Sequence, residues 1–403
     1  MNKQKKILML GGSAQQVVAI ERAKQMGYYT VLCDYLLDNP GQYVADKFYN
    51  ESTTDVEAVY RIAKEEGVDG ILAYASDPAA LPAAIVAEKL ELPTNSSESV
   101  SILGVKYIFR EFLKDHGFAC PKFFSFHPDM EKELLTLRMK ELQFPIMIKP
   151  TDSSGSKGVT KIYSTDFLEE AIACAAAYSR NKVLIAEEFI ERGYPNVIGG
   201  DIFIWDGEIV LYGEMSCVRD GNEKGLIPIG KQWPSGLNEV QTKNVHDELQ
   251  RIVSELGIQF GEMNIELMLD EMNRVHFLEL GPRAGGNMIP IHLSDVYGID
   301  LVRANIAAAM GEYPQLELQP QKGYFMHYVL HSYEEGKFEG IYYSPEIKNN
   351  IYRQVIYKHK GDEVYFFDGA GKALGIIFLR FDTYNQMIDF CKRKDELVKI
   401  NLL

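Results

Sequence analysis

Two β-type runs carry one glutamate each among apolar neighbours, Glu266 in "NIELML" (264–269) and Glu279 in "VHFLEL" (275–280). If Glu271–Arg274 form the turn between them, Asp270 pairs with Val275 and Glu266 faces Glu279. Directly opposed side chains in an antiparallel pair have Cβ atoms about 4.5–5.5 Å apart. Two carboxylates held there repel, unless a divalent cation lies between them. Mg²⁺ suits the pair, because it takes one or two carboxylates and completes its shell with water and phosphate oxygens. A register one residue different, with one glutamate in solvent, is the alternative. Arg283 follows in "GPRAGGN" (281–287). An arginine beside a metal–phosphate site would stabilise charge on a phosphoryl group in transfer. A salt bridge to a nearby glutamate is the plainer reading, although the glycines clear room for a ligand.

The stretch "IKPTDSSGSKGV" (148–159) supplies the matching phosphate chemistry. A P-loop would lead straight into a helix. Here a strand ending in Lys149 passes through Ser153, Ser154, Gly155, Ser156, Lys157 and Gly158 into another strand. Such a loop can close over phosphates with backbone N–H groups and hydroxyls. Lys149, on the strand, is a better-placed charge than one on the loop; alone, it could equally be an edge-strand lysine.

Three further places are ambiguous from the residues alone. Gly11-Gly12-Ser13 ends the first strand, and is either a ligand-free tight turn or a substrate-phosphate site. It lacks the GxGxxG spacing of a dinucleotide site, so a nicotinamide dehydrogenase is disfavoured. "VLIAEEFIE" places Glu187, Glu188, Phe189 and Ile190 at a strand end, which is either a plain exit or a hinge for an adenine edge. The segment 216–236, with Arg219, Lys224 and Lys231, reads as a flexible loop. It either closes on an anionic substrate or is a charged mobile surface.

Positioning these groups requires three units. Residues 1–100 alternate strand and helix signals, as in a parallel sheet. Residues 101–311 open with one helix over "SVSILGVKYIFREFLKDHG", where Lys106 and Arg110 share a face. They continue as an α+β unit with antiparallel strands. Residues 312–403 read as a small α+β unit.

The chain has 403 residues, a formal charge of −15 and no long basic stripe, which argues against nucleic acid or an anionic membrane as partner. No segment approaches a membrane span. The N-terminal apolar run Ile7–Leu10 is too short for a signal peptide. Five scattered cysteines without a CxxC pair suggest a reduced, cytoplasmic protein.

The ordered set Lys106/Arg110, "PIMIKPTDSSGSKGV", "VLIAEEFIE" and "NIELML…VHFLELGPRAGGN" resembles the ATP-grasp superfamily over about residues 100–311. The flanking units look like those of phosphoribosylglycinamide synthetase, biotin carboxylase and carbamoyl-phosphate synthase large-subunit relatives. The resemblance implies an α/β parallel-sheet domain, an α+β ATP-grasp fold with a mobile lid over about residues 121–190, and a small C-terminal α+β domain. It implies ATP with Mg²⁺ or Mn²⁺, and activation of a carboxylate as an acyl phosphate for attack by an amine. By position, Lys106 and Lys149 would contact phosphates, and Ser153–Gly158 would cover them. Glu187, Glu188 and Ile190 would form the adenine hinge, mostly through backbone, Glu266 and Glu279 would hold metal, and Arg283 would face the transferred phosphate. Gly281 stands where many relatives have a metal-binding asparagine, and Asn287 is the candidate substitute. The usual ribose-binding acid is missing after the hinge, and Asp201 replaces it poorly. Arg219 and Lys231, with Gly11, Gly12 and Ser13, are the substrate candidates. Small-molecule acid and amine substrates are expected, and a homodimer is the assembly to test. The alternatives are a bicarbonate-activating carboxylase, of biotin carboxylase or carboxyaminoimidazole ribonucleotide synthetase type, and a non-catalytic nucleotide-binding regulator. No "MKM" biotin-attachment sequence is present.

Overall fold

The run Lys6–Leu10 is buried at nearly every residue, as expected of a parallel strand covered on both faces. In a computed structural model, which describes residues 4–153, 155–219 and 227–403, it is one of the two inner strands of the N-terminal sheet. That unit comprises β1 (Lys6–Leu10), α1 (Val17–Gln25), β2 (Tyr29–Cys33), β3 (Lys47–Tyr49), α2 (Val56–Glu66), β4 (Gly70–Leu72) and α3 (Asp77–Lys89). The order is β3-β2-β1-β4, all parallel. The Asp55 carboxylate caps α2, and Gly67 ends it at φ 60°. The three-residue β3 was not foreseen from the sequence.

The single helix expected over residues 99–117 is instead two helices, α4 (Ser97–Gly104) and α5 (Lys106–Asp115). Val105 between them is extended, at φ −126° and ψ 111°. A glycine followed by a β-branched residue weakens the helix there, and the Lys106 N–H leaves the ladder for the Thr151 carbonyl at 2.9 Å. The break places Lys106 in the first turn of α5, pinned to the end of the lysine-bearing strand.

The segment expected to form the lid holds a four-stranded antiparallel sheet of order β5-β8-β6-β7. It contains β5 (Phe123–Phe126), α6 (Lys132–Met139), β6 (Ile146–Pro150), β7 (Thr160–Ile162), α7 (Leu168–Ala176) and β8 (Leu184–Glu188). The serine- and glycine-rich segment joins the antiparallel β6 and β7, as expected.

The remaining chain supplies β9 (Ile198–Trp205), β10 (Glu208–Arg219), β11 (Pro228–Trp233), α8 (Glu239–Leu256), β12 (Phe260–Leu269), β13 (Val275–Gly281), α9 (Ile289–Tyr297) and α10 (Leu301–Ala309). It then adds β14 (Tyr324–Leu330), β15 (Gly336–Tyr343), α11 (Pro345–Lys348), β16 (Ile351–Ile356), β17 (Glu363–Val364), β18 (Gly375–Phe381), α12 (Tyr384–Leu397) and β19 (Val398–Leu402). Asp206 and Gly207, at φ 54° and 78°, turn β9 into β10 as a two-residue hairpin requires. Eight strands form one sheet, ordered β13-β12-β9-β10-β11-β14-β18-β16. The stretch after residue 312 therefore extends the central sheet through β14, which pairs with β11. A second, three-stranded sheet β17-β15-β19 lies beyond it.

The flexible loop expected over 216–236 is largely strand. β10 runs to Arg219 and β11 resumes at Pro228, so Lys231 is a buried sheet residue. Lys224 lies outside the described residues. Among the described residues, no helix is long and apolar enough to cross a membrane.

Candidate active site

The lid, the central sheet and the N-terminal unit enclose a cleft of about 710 Å³. Volumes of roughly 300–1,000 Å³ are usual for small-molecule sites. Glu266 and Glu279 both line the cleft, and are directly opposed in the β12–β13 register. The expected pairing is therefore correct, but two deviations produce it together. Leu269, rather than Asp270, pairs with Val275, so the turn is one residue longer than counted. An irregularity after Leu267–Phe277 leaves Leu278 extra and restores the glutamate pair. Phe277 and Leu280 join the core behind the sheet, whereas Leu278 and Glu279 both line the cleft. Strict alternation would have sent one of those two to the other face. The Leu278 carbonyl accepts from Arg110 Nη2 at 3.1 Å.

Each carboxylate faces a cation. Lys106 Nζ lies 3.2 Å from Glu279 Oε2, and Arg219 Nη2 lies 3.5 Å from Glu266 Oε2. Lys106 also donates to the Ser153 carbonyl at 2.7 Å, tying the lid loop to the glutamate pair. Among the described residues, no group of three His, Cys, Asp or Glu side chains gathers to hold a metal. The donor set is instead two carboxylates and one amide. Asn287 also lines the cleft, and its Oδ1 is buried without a hydrogen-bond partner among the described residues. Two carboxylates and an orphaned oxygen fit Mg²⁺, which takes few protein oxygens and keeps places for water and phosphates. Gly281 cannot supply the third ligand. A Cβ there would meet Asp77 Oδ1 at 3.0 Å and Arg283 Cζ at 3.1 Å.

Glu187 is 3% exposed and bridges two cations. Arg110 Nε lies 2.9 Å from one oxygen, and Lys149 Nζ contacts the other. Burial works to raise the Glu187 pKa, but Arg110 and then Lys149 outweigh it and hold the carboxyl down at about 2. Burial and Arg110 pull the Lys149 ammonium downward against its attraction to Glu187. One carboxylate thus serves two cations, and the excess positive charge faces the cleft. The Glu187 side chain is locked in this triad, and Glu187, Glu188 and Ile190 all line the cleft. Glu188 accepts from the Gln143 N–H at 2.8 Å, and Phe189 donates its N–H to Pro145 at 3.0 Å. Met147, Ile190, Val197, Met268 and Leu278 give this end an apolar lining.

In the lid loop, Ser153, Gly155 and Ser156 line the cleft. Ser154 lies outside the described residues. Lys157 and Gly158 are not cleft residues. Lys157 is exposed and reaches toward Gly369, while Gly158, at φ 71°, packs against α7 where a Cβ would meet Ala175 at 3.2 Å.

Arg283 lines the cleft, but grips Asp77 with two hydrogen bonds of 2.7 Å. Its partner is thus an aspartate on the N-terminal unit, which the sequence reading missed. The signal was present, since Ser76-Asp77-Pro78 opens α3. Asp201 is fully buried and accepts from Asn264 at 2.7 Å and the Gly285 N–H at 2.8 Å. It holds the "GPRAGG" turn and cannot replace a ribose ligand.

The N-terminal glycine turn is closed to phosphate. The Gly11 N–H donates to the Cys33 carbonyl at 2.9 Å, that of Gly12 to the Asp34 carboxylate at 2.7 Å, and that of Ser13 to Gln16 at 2.8 Å. These three backbone donors are spent, and Asp34 would repel an anion. Only Ser13 of the three lines the cleft.

Lys231 is 5% exposed at the cleft floor. Its ammonium donates to Cys217 Sγ at 3.0 Å and lies over Gly199, whose register partner on β12 is Glu266. Burial opposes its charge, but the Cys217 sulfur and Glu266 outweigh burial and raise its pKa. A thiol is a weak acceptor for a group with three donors, so this cation has capacity for an anion beside the glutamates.

The family model for the carbamoyl-phosphate synthase L chain ATP-binding domain matches residues 106–317. The chain is 24% identical to the carbamoyl phosphate synthase large chain of Thermotoga petrophila over 265 residues, 64% of this chain and 23% of that one. It thus spans about a quarter of that relative. The L-amino acid ligase structure from Bacillus licheniformis superposes with a TM-score of 0.82 at 21% identity, covering 100% of both chains. The biotin carboxylase domain dimer of Hydrogenobacter thermophilus 2-oxoglutarate carboxylase, in complex with MgADP, ADP and bicarbonate, gives 0.77 at 18% identity. It covers 100% of this chain and 91% of that one.

Proposed function

The chain belongs to the carbamoyl-phosphate synthase L chain ATP-binding domain family of the ATP-grasp superfamily, and from that premise we propose an ATP- and Mg²⁺-dependent ligase that joins a carboxylic acid to an amine. One observation carries the reading: two opposed glutamates beside an orphaned amide oxygen, under a serine- and glycine-rich loop flanked by lysines.

In this reading the adenine lies between Met147, Val197, Met268 and Leu278, with its edge at the backbone of Ile190. Lys106, Lys149 and the loop at Ser153, Gly155 and Ser156 take the phosphates. Glu266, Glu279 and Asn287 hold Mg²⁺, which supplies neutralisation of phosphate oxygens. Lys231 anchors the acid's carboxylate beside Glu266, with Arg219 at its edge. The carboxylate attacks the γ-phosphorus, ADP leaves, and the amine displaces phosphate from the acyl carbon. Arg283, held by Asp77 and by an Nη1 bond to the Ala284 carbonyl at 3.0 Å, faces the transferred group with its remaining N–H groups. Positioning and charge do the work, without a protein nucleophile.

The N-terminal turn is left out of substrate binding in this account. The five cysteines, none in a disulfide, suit a cytoplasmic setting, and sedimentation will establish whether the chain pairs with a second copy. A matrix of acids, bicarbonate included, against amines, scored for ADP and phosphate, tests the function. Release that depends on both an acid and an amine is expected. Release with bicarbonate alone would move the reading to a carboxylase, and no release with any pair would overturn catalysis.

A further inference from the structure

His327 on β14 is the register partner of Lys231, lines the same cleft and is 1% exposed. Its Nδ1 is enclosed without a hydrogen-bond partner among the described residues, which leaves Nε2 as the ring nitrogen turned to the cleft. A proton on the enclosed Nδ1 would be an unsatisfied buried donor, a rarer state than an unsatisfied acceptor. The ring therefore carries its proton on Nε2.

The surroundings keep the ring uncharged. Lys231 faces it from β11, and His292 from α9 at a ring distance of 5.0 Å. Phe378 faces it from β18 at 6.2 Å without charge. α12 touches the other face of β14, through Cys391 and Met326. Burial, His292 and Lys231 all push the imidazole well below its ordinary pKa. A neutral imidazole with a lowered pKa is suited to donating a hydrogen bond rather than taking a proton.

We propose that His327 donates its Nε2–H to the oxygen on the acid's carboxyl carbon, as a catalytic donor beside Lys231. The assignment rests on the ligase reading above. When the amine nitrogen bonds to the acyl carbon, the carbonyl π pair moves onto that oxygen. As the pair returns, the carbon–oxygen bond to phosphate breaks, phosphate leaves with the bonding electrons, and the proton from nitrogen goes to the departing phosphate. The donor stabilises the oxyanion between these two events.

Two measurements test it on the whole protein. Long-range ¹H–¹⁵N spectra of histidine-labelled protein from pH 5.5 to 8.5 should show His327 neutral with its proton on Nε2. A proton on Nδ1, or a cationic ring at pH 7, would overturn the proposal. Hydroxamate formation from acid, MgATP and hydroxylamine should fall about 10²–10³-fold in His327→Phe. The donor-bearing His327→Gln should stay within about tenfold of wild type, with the KM for ATP unchanged in both. A His327→Gln protein as slow as His327→Phe, or a His327→Phe protein at the wild-type rate, removes this role alone. No hydroxamate from wild type with any acid removes the ligase reading, and this role with it.

Discussion

At the residue scale, the strongest commitments are the charges that cannot be left alone. Glu187 joins Arg110 and Lys149 in a buried triad. Breaking a buried pair by removing one partner costs about 3–5 kcal/mol, because uncompensated charge remains. Glu187→Gln should therefore lower the unfolding free energy by about that amount in a denaturant titration. A loss under about 1 kcal/mol would mean that the cations are solvated rather than held. Its carboxyl is depressed to about 2 in the fold, so its stabilisation is complete above the ordinary value of 4.5 and is lost as pH falls from there toward 2. Glu279 differs, since it faces the cleft and carries no comparable packing. Glu279→Gln should keep the fold, by circular dichroism and melting temperature, and lose acid-dependent ADP formation by at least about 10². Glu266 and Glu279 were legible because like charges on facing strands demand an explanation. Asp77, Arg110 and His327 were not singled out for these roles, because their partners Arg283, Glu187 and Lys231 lie far from them along the chain.

At the element scale, strand irregularity sets the site as much as residue type does. The extra Leu278 lets adjacent residues serve as apolar wall and acidic ligand on one face. Counting residues reached the correct glutamate pair only because a longer turn and a bulge cancelled. The extent of β11 was hidden by Gly230, Pro228 and Pro234, which read as loop chemistry although the edge of β14 was available for pairing. The helix break at Val105 was missed because its cause, the Lys106 N–H bond to Thr151, is a tertiary contact. Gly199 shows the same dependence. Its backbone needs no special conformation, but a Cβ would overlap the Lys231 ammonium and contact Cys217 Sγ at 2.8 Å. Gly199→Ala should shift Lys231 and raise the KM for the acid about tenfold or more, leaving that for ATP unchanged. Equal KM values for the acid, measured by coupled ADP release, would show that Lys231 does not hold it.

At the scale of the whole molecule, the parallel N-terminal sheet, the antiparallel lid and the central sheet were each readable from periodicity and turn residues. Their convergence on one cleft was not, because the central sheet draws strands from both sides of residue 312 and no local pattern encodes that pairing. The same convergence buries two histidines. His292 is fully buried and held near pKa 3 by burial and Lys231. The unfolded chain binds a proton there first, so stability is full above about pH 6.5 and declines as pH falls toward 3. His292→Phe should flatten the fall of the denaturation midpoint between pH 6.5 and 4; an unchanged slope would place the acid sensitivity elsewhere. The central claim is that Glu266 and Glu279 hold a divalent ion together with a nucleotide beneath the lid loop. Calorimetric titration of ADP into the whole protein, with and without Mg²⁺, tests it most directly. Binding should tighten with Mg²⁺ in wild type and lose that dependence in Glu266→Gln and Glu279→Gln. Nucleotide binding that ignores Mg²⁺ in wild type, or keeps its Mg²⁺ dependence in both variants, would contradict the account.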